Sequence, residues 1–451
     1  MRRKECFTMF LTIIPAASAY AAVTFLATGT LTASAAGNYA DLSELSSTLE
    51  NGLPSNVLGG VGSGLAYAGG DIFLALPDRG PNANSYNSKV DDTVSYISRF
   101  HTLKMKFSPS ASGSKVPLVL NIVLEKTTLL SSKTPLVYGD GAVVGLGSGV
   151  PARNNKSTYY FTGRPDNFDP KQSSGNPANA RLDPESIRVS NTGRYVFISD
   201  EYGPYLYEFD RATGQRLRSF MLPSNLDVSH LSPMGKIEIS GNTSGRVANK
   251  GMEGLAITPD GKMLVGVMQA PLIQDEAIAA SKKLIRLVTI DIATGMPHEF
   301  GYMLTEGSGV SEIIAVNNHE FLVDERDGAG LGDGTSAIVK MLFKIDLAAA
   351  KDITNLPSTE AAAAAVSKSP FLDIVSLLTE KGVSAKQIPA KIEGISFGPD
   401  TRLNGVTQHT LFVANDNDFI PETAGPNQFF VFGFVDADLP GFAIQQFTPQ
   451  R

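Results

Sequence analysis

Carboxylates return at matching places along this chain. Glu185, Glu253, Glu312 and Glu393 each open a short apolar run, and Asp78, Glu201, Glu325 and Asp416 each close a second one, with Gln269 at the same place in a fifth unit. Oxygen-only donors gathered at one spot suit a hard divalent cation, Ca²⁺ before Zn²⁺. The metal-ligand candidates are Glu185, Glu201, Glu253, Glu312, Glu325, Glu393 and Asp416, and Glu185, Glu201, Glu253, Glu325 and Arg326 are the catalytic candidates. A metal there lowers the pKa of a bound water and offsets charge on an ester oxygen. Arg79, Arg326 and Gln269 are candidates for substrate contact, because guanidinium forks pair with phosphate or carboxylate oxygens. The same arginines, with Arg188 and Lys391, also fit a second role, neutralising glutamates across repeat boundaries, and both roles stay open. Tyr202, Tyr205 and Phe419 beside the tips either wall a pocket or pack between repeats. The five histidines, at 101, 230, 298, 319 and 409, stand at no tip and at no zinc spacing, and no Gly-x-Ser-x-Gly elbow with matching partners occurs.

The elements that position these residues recur five times, at 63–80, 183–203, 251–272, 310–327 and 391–419. Each has two apolar runs around a turn such as Ser190-Asn191-Thr192-Gly193 or Thr258-Pro259-Asp260-Gly261. In two units an alternating pair follows, as in 205–210 and 216–220. Four antiparallel strands per unit make an all-β propeller blade. The unit starts at 63, 185, 253, 312 and 393 leave one gap of 122 residues, so about six blades are expected, the extra one within 95–180; five or seven stay open. The stretch 428–434 is expected to pair with N-terminal strands and close the ring, which removes exposed sheet edges. The start and tip of an antiparallel strand pair lie at one end of the blade, so both sets of acids are expected at one channel mouth. A helical insertion at 357–382 reads as surface decoration or as a lid.

Residues 1–36 have the layout of a signal peptide: Arg2, Arg3 and Lys4, then a mostly apolar stretch, then Ala33-Ser34-Ala35, with an earlier cut after Ala17-Ser18-Ala19 also open. The mature propeller domain is then 37–451, periplasmic or secreted, and the single cysteine, Cys6, is lost with the leader. No later stretch is long and apolar enough to span a bilayer. A net charge of −7 argues against a nucleic-acid partner. The expected partner is a small ester or phosphate ester, and the expected state is a monomer.

Several tips together resemble a known family. Asp183-Pro184-Glu185, Ser199-Asp200-Glu201-Tyr202-Gly203, Glu253-Gly254-Leu255, Asp324-Glu325-Arg326-Asp327, Glu393-Gly394-Ile395 and Asn415-Asp416-Asn417-Asp418 are similar, in this order, to the phytase-like, esterase-like domain family of exported bacterial proteins, over about 55–435. The resemblance implies a propeller-like fold and hydrolysis of phosphate or other esters. The chain departs from the pattern at Glu185-Ser186, where glycine is expected, and at Glu312-Ile313. The expectation is an exported hydrolase-like propeller, metal-dependent, acting at a carboxylate-rich mouth. The alternative is a non-catalytic propeller that binds a ligand or partner and uses metal ions for stability.

Overall fold

Tight turns and alternating apolar runs lay down one four-stranded sheet five times. Gly193 and Gly261, at φ 70° and 72°, sit in the turns between first and second strands of two sheets, a conformation that glycine adopts without a side-chain penalty. The computed structural model describes residues 22–448. The basic start, Cys6 and the early motif Ala17-Ser18-Ala19 lie outside the described residues.

Blade 1 consists of Gly64–Tyr67, Ile72–Leu76, Arg99–Pro109 and Leu118–Leu129. Blade 2 consists of Pro184–Val189, Tyr195–Asp200, Leu206–Asp210 and Gln215–Ser219. Blade 3 consists of Met252–Ile257, Met263–Met268, Leu284–Asp291 and Pro297–Met303. Blade 4 consists of Gly309–Ala315, Glu320–Arg326, Lys340–Asp346 and Lys368–Asp373. Blade 5 consists of Ile392–Leu403, Val406–Asn415, Asn427–Phe434 and, as its outermost strand, Thr24–Leu31. The first strands of successive blades neighbour one another, and that of blade 5 meets that of blade 1, so the ring closes.

The described residues therefore form a β-propeller, as the repeats predict, and its blades number five, the low end of the expected range instead of six. The 122-residue gap holds no further blade. It holds the two long outer strands of blade 1, the second of which takes up the apolar run at 118–124. A loop-rich stretch follows, with two short strands, Ser131–Ser132 and Tyr159–Tyr160, attached to the edge of blade 2. The insertion near 357–382 is also revised. Its helices Ser358–Ala363 and Ile374–Glu380 flank the outer strand of blade 4, which takes up Leu372. They pack on the outer strand of blade 3 and the third strand of blade 4, away from the channel, so they decorate the surface.

Apolar faces of successive blades stack into cores. One joins Phe197 of blade 2, Leu255 and Val265 of blade 3, and Ile313 and Val323 of blade 4. Inside the ring the channel is filled. Arg188 donates to the carbonyls of Leu65, Ile187, Ile313 and Ile395 at 2.8, 2.7, 3.1 and 3.4 Å, and pairs with Glu312 at 2.9 Å. Glu312 in turn accepts from the Leu255 N–H at 3.0 Å. One ion pair thus touches the first strand of every blade. Below it, the tail after blade 5 crosses the second mouth: the Ala443 N–H donates to Val316, Gln445 to Val189, and the Thr448 N–H to Asn191. A cavity of only about 60 Å³ remains between tail and channel.

The ring is sealed by its first strand. Thr24–Leu31 pairs antiparallel with residues 427–433 and parallel with Leu118 and Val119 of blade 1. It lies inside the stretch expected to leave with the signal peptide at Ala33-Ser34-Ala35, whereas a cut after Ala19 spares it. Phe25, Leu26 and Leu31 are buried, each contributing about 1.5–3 kcal/mol. A chain beginning at Tyr20 is expected to be several kcal/mol more stable than one beginning at Gly37 in thermal or denaturant melts. Equal stabilities would show that the strand is dispensable.

Candidate functional site

The strand register defines two rings of side chains at one mouth. Leu65 opposes Ala75, Ile187 opposes Ile198, Leu255 opposes Gly266, Ile313 opposes Val323, and Ile395 opposes Val413. Two residues before the first member of each pair stand Ser63, Glu185, Glu253, Ser311 and Glu393. Three residues after the second stand Asp78, Glu201, Gln269, Arg326 and Asp416. Of the two sets expected at one mouth, Asp78, Glu185, Glu201, Glu253, Glu393 and Asp416 come together there with Gln269, and Arg79 and Arg326 stand among them.

The convergence fails for Glu312 and Glu325. Each stands one residue away from its ring, and a one-residue offset in a strand turns the side chain to the other face. Glu312 occupies the level taken by Gly64, Ser186, Gly254 and Gly394 in the other blades. The ring is narrow there: a Cβ on Gly254 would stand 2.8 Å from the Glu312 Cα. Glu312 fills this waist, accepts from the Ser186 hydroxyl at 2.8 and 3.0 Å, and pairs with Arg188. The two departures from the family pattern are therefore one interaction. Glu325 points between blades 3 and 4, where it accepts from the Tyr302 hydroxyl at 2.5 Å, from Lys368, and from the N–H groups of Thr305, Glu306 and Gly307. Although burial opposes it, the Lys368 bond holds Glu325 below the ordinary carboxylate range. Both side chains are taken up by partners away from the acids of the mouth.

With those two turned away, blade 4 presents Ser311 and Arg326. The Arg326 guanidinium bonds to the Ser311 hydroxyl, sits 2.5 Å from Glu393 and 3.8 Å from Glu253. Lys391 holds Asp416 at 2.9 Å and also bonds to Asp418. Arg79 Nη1 is 2.5 Å from Asp183 and 3.9 Å from Glu201, and the Arg79 N–H also donates to Asp183. Asp183 is the residue that sequence reasoning leaves unassigned, although the motif Asp183-Pro184-Glu185 announces it. Oxygens of Asp183, Glu185 and Glu201 all lie within 4.8 Å of one another. Asp200, by contrast, accepts from the N–H groups of Asp183, Tyr202 and Gly203 and serves the turn. Tyr205 is core, its hydroxyl on the Leu226 carbonyl, and Phe419 stacks edge-on against Tyr96.

The acids outnumber the cations at this mouth. Asp78, Asp183, Glu185, Glu201, Glu253, Glu393, Asp416 and Asp418 face Arg79, Arg326 and Lys391, and apart from Asp418 none of these acids is more than 7% exposed. Burial, and then Glu253, pushes Glu185 and Glu201 far above the ordinary range. Burial and then Asp416 do the same to Asp78. Burial, reinforced by Glu393, takes Glu253 up to about 7. Burial takes Glu393 to about 8 against the pull of Arg326. Asp416 alone is held low, since Lys391 overrides its burial. Glu253 Oε2 is sealed from solvent and accepts from no fixed donor among the described residues, while Glu201 and Gln269 stand within reach of the Glu253 carboxyl. Such a set either keeps protons or takes up a cation. The three buried carboxylates Asp183, Glu185 and Glu201, which offer oxygen donors alone, fit a hard divalent ion.

A family model described as "Phytase-like: Esterase-like activity of phytase" matches residues 56–419. An uncharacterised secreted protein of Arthroderma benhamiae is 29% identical over 328 residues, 60% of this chain and 60% of that protein. The chain thus spans about 60% of the length of that relative. Among solved structures, a periplasmic gluconolactonase from Pseudomonas aeruginosa aligns over 81% of this chain and 87% of its own, with a TM-score of 0.33 and 11% identity. An aldose sugar dehydrogenase from Streptomyces coelicolor aligns over 83% and 95%, with a TM-score of 0.31 and 12% identity. The fold assignment rests on the strand order above.

Two outcomes follow from this geometry. Glu312→Ala leaves Arg188 buried and unpaired and is expected to cost about 3–5 kcal/mol in denaturant unfolding; a loss under about 1 kcal/mol would mean that the waist is not held by the pair. The second concerns pH. Folded Glu253 and Glu393 bind protons that an unfolded glutamate, near the usual value of about 4.3, has released. Stability in chelator is therefore greatest below that value and falls as pH rises to about 8. Melting temperature in chelator should be higher at pH 5 than at pH 8, and Ca²⁺ should flatten or reverse the slope. A pH-independent melt in chelator would contradict it.

Proposed function

Because the chain belongs to the Phytase-like family, we propose that its acidic mouth is a hydrolytic centre for phosphate or related esters, working with a hard divalent cation, Ca²⁺ first. The observation that carries this reading is the buried cluster of Asp183, Glu185 and Glu201, whose oxygens lie within 4.8 Å of one another, with the Glu253 carboxyl, raised to about 7, next to Glu201. Asp183, Glu185 and Glu201 would hold the cation, with Glu253 beside them free to act as a base, and Glu393 and Asp416, already bound by Arg326 and Lys391, at the margin. When bound, the cation supplies an acidified water and compensates charge on an ester oxygen.

The rest is the work of side chains. A base is most useful when its pKa lies near the working pH, and Glu253 Oε2 meets that condition for taking a proton. Arg326 fixes the Glu253 and Glu393 carboxyls and offsets their repulsion. Arg79, anchored by Asp183, orients the ester. The relative in Arthroderma benhamiae bears the name of a secreted protein, and the N-terminal layout of this chain fits export; the periplasm or the exterior is the address we assign. Among the described residues no helix is long and apolar enough to cross a membrane.

A second reading is favoured by burial. A mouth whose ring acids are at most 7% exposed also suits a cation held only for stability, in a propeller that binds a ligand or partner without turnover. The two readings separate when the full-length protein is assayed on a small phosphomonoester, on phytate and on a short acyl ester, with Ca²⁺ and with chelator. Under the hydrolytic reading, Ca²⁺-dependent turnover appears on at least one, and Glu253→Gln lowers kcat about 100-fold or more without lowering the melting temperature in chelator. No turnover on any of them, with a large chelator-induced drop in melting temperature, would leave the non-catalytic reading.

A further inference from the structure

Next to the acidic mouth, between blades 1 and 2, lies a cavity of about 170 Å³ lined by Arg79, Asp91, Arg181, Tyr202, Glu238 and Asn249, among others. Arg79 joins the two spaces. Its Nη1 faces Asp183 and Glu201. Its Nε and Nη2 make no hydrogen bond among the described residues and are not sealed from solvent. Half of the guanidinium fork is therefore spoken for and half is open.

Tyr202 is fixed beside it. Its ring lies over the Arg181 guanidinium at 4.5 Å, and Arg181 is gripped in turn by Phe168 at 4.7 Å and by Glu238 at 3.1 Å. The Tyr202 N–H donates to Asp200, and its carbonyl accepts from Arg246. With ring and backbone held, the hydroxyl makes no hydrogen bond among the described residues, and it is not sealed. A tyrosine hydroxyl carries its proton near neutral pH and can donate it to an oxyanion. Of the cavity's acids, one is fully paired and the other, Asp91, stands close enough to act on both Arg79 and Tyr202. Glu238 is shared by Arg181 and Arg246, and Asp91, at the rim, accepts from the Gly235 N–H at 2.5 Å.

The geometry points to this cavity as the substrate's seat, where the open edge of Arg79 and the Tyr202 hydroxyl receive the oxyanion of one phosphoryl group, with Asp183, Glu185 and Glu201 directly behind Arg79. The inference rests on the hydrolytic reading above and adds to it a substrate class. Pockets that engulf a drug-sized ligand run to roughly 300–1,000 Å³. At about 170 Å³ this one holds a single head group and leaves the rest of the ester in solvent. Small phosphomonoesters fit it, and a polyphosphorylated ring gains nothing from its further phosphates. Aligned N–H and O–H donors on a phosphoryl oxygen form charge-assisted bonds, the stronger kind.

The test is calorimetric titration of inorganic phosphate into the full-length protein with Ca²⁺ present. Phosphate is expected to bind and to compete with a small phosphomonoester, and phytate to compete no better than one phosphate. Tyr202→Phe keeps the ring on Arg181 and is expected to weaken phosphate about tenfold or more. Ala248→Phe, filling the cavity from its rim, is expected to abolish binding. Both variants should melt within a few degrees of the parent. No phosphate binding to the parent, or equal binding to all three, overturns the assignment. Turnover of a small ester that both variants leave unchanged refutes the cavity and keeps the hydrolytic mouth. Phosphate binding lost in Tyr202→Phe, with no turnover on any ester, keeps the cavity and refutes the hydrolase.

Discussion

The ring is organised around one buried ion pair. Arg188 and Glu312 sit at the waist of the channel, and between them they bond to the first strand of every blade. A propeller blade has no side-chain reason of its own to meet the blade opposite. Here a guanidinium with donors in a fixed plane reaches four carbonyls, and a carboxylate takes the N–H of the fifth strand. Two charges out of water are tolerated only when hydrogen bonds satisfy them as fully as this. The pair also divides the channel. The tail after blade 5 closes the lower end and leaves the upper one as the open mouth.

Blade 4 is what makes that upper mouth asymmetric. Its two acids are shifted by one position, one to the waist and one to the seam with blade 3, and it offers Arg326 and Ser311 in their place. The glutamates of blades 3 and 5 then share one cation, while the acids of blade 2 are left with a single arginine from blade 1. The acids with least compensation, Glu185 and Glu201, lie on the side of blade 2, and the cavity lined by Arg79 and Tyr202 lies on that same side.

Much of this is legible in the residues, and the misses have physical causes. Repeating turns and alternation reveal the blades, because φ-positive glycines and period-two burial are local properties. The count of blades is not local: outer strands vary in length, and the long ones of blade 1 occupy the space of an unseen repeat. The acid ring is legible in outline, yet residue type alone wrongly places Glu312 and Glu325 in it, since one position of slip reverses a strand's faces. Irregular register before the paired segments hides that slip. Asp183 and Ser311 escape sequence reasoning because their roles come from register and not from spacing to a motif. Thr24–Leu31 reads as leader because small apolar residues suit a signal peptide and an edge strand equally well.

The position of that strand bears on how the molecule is made. The Thr28 hydroxyl bonds to the Phe429 carbonyl across 401 residues of sequence, so the first strand to be synthesised waits for nearly the last. Contacts of such separation form slowly, since loop-closure entropy must be met before they reward it. Until then the edges of Asn427–Phe434 and Leu118–Leu129 stay bare. A chain that grows from its N-terminal side has four blades able to stack before Asn427–Phe434 appears, with the fifth still incomplete. Assembly of the circle is then timed by the emergence of the C-terminal strand, and the interval before it is when the chain is most exposed to proteases and to edge-to-edge association with its neighbours.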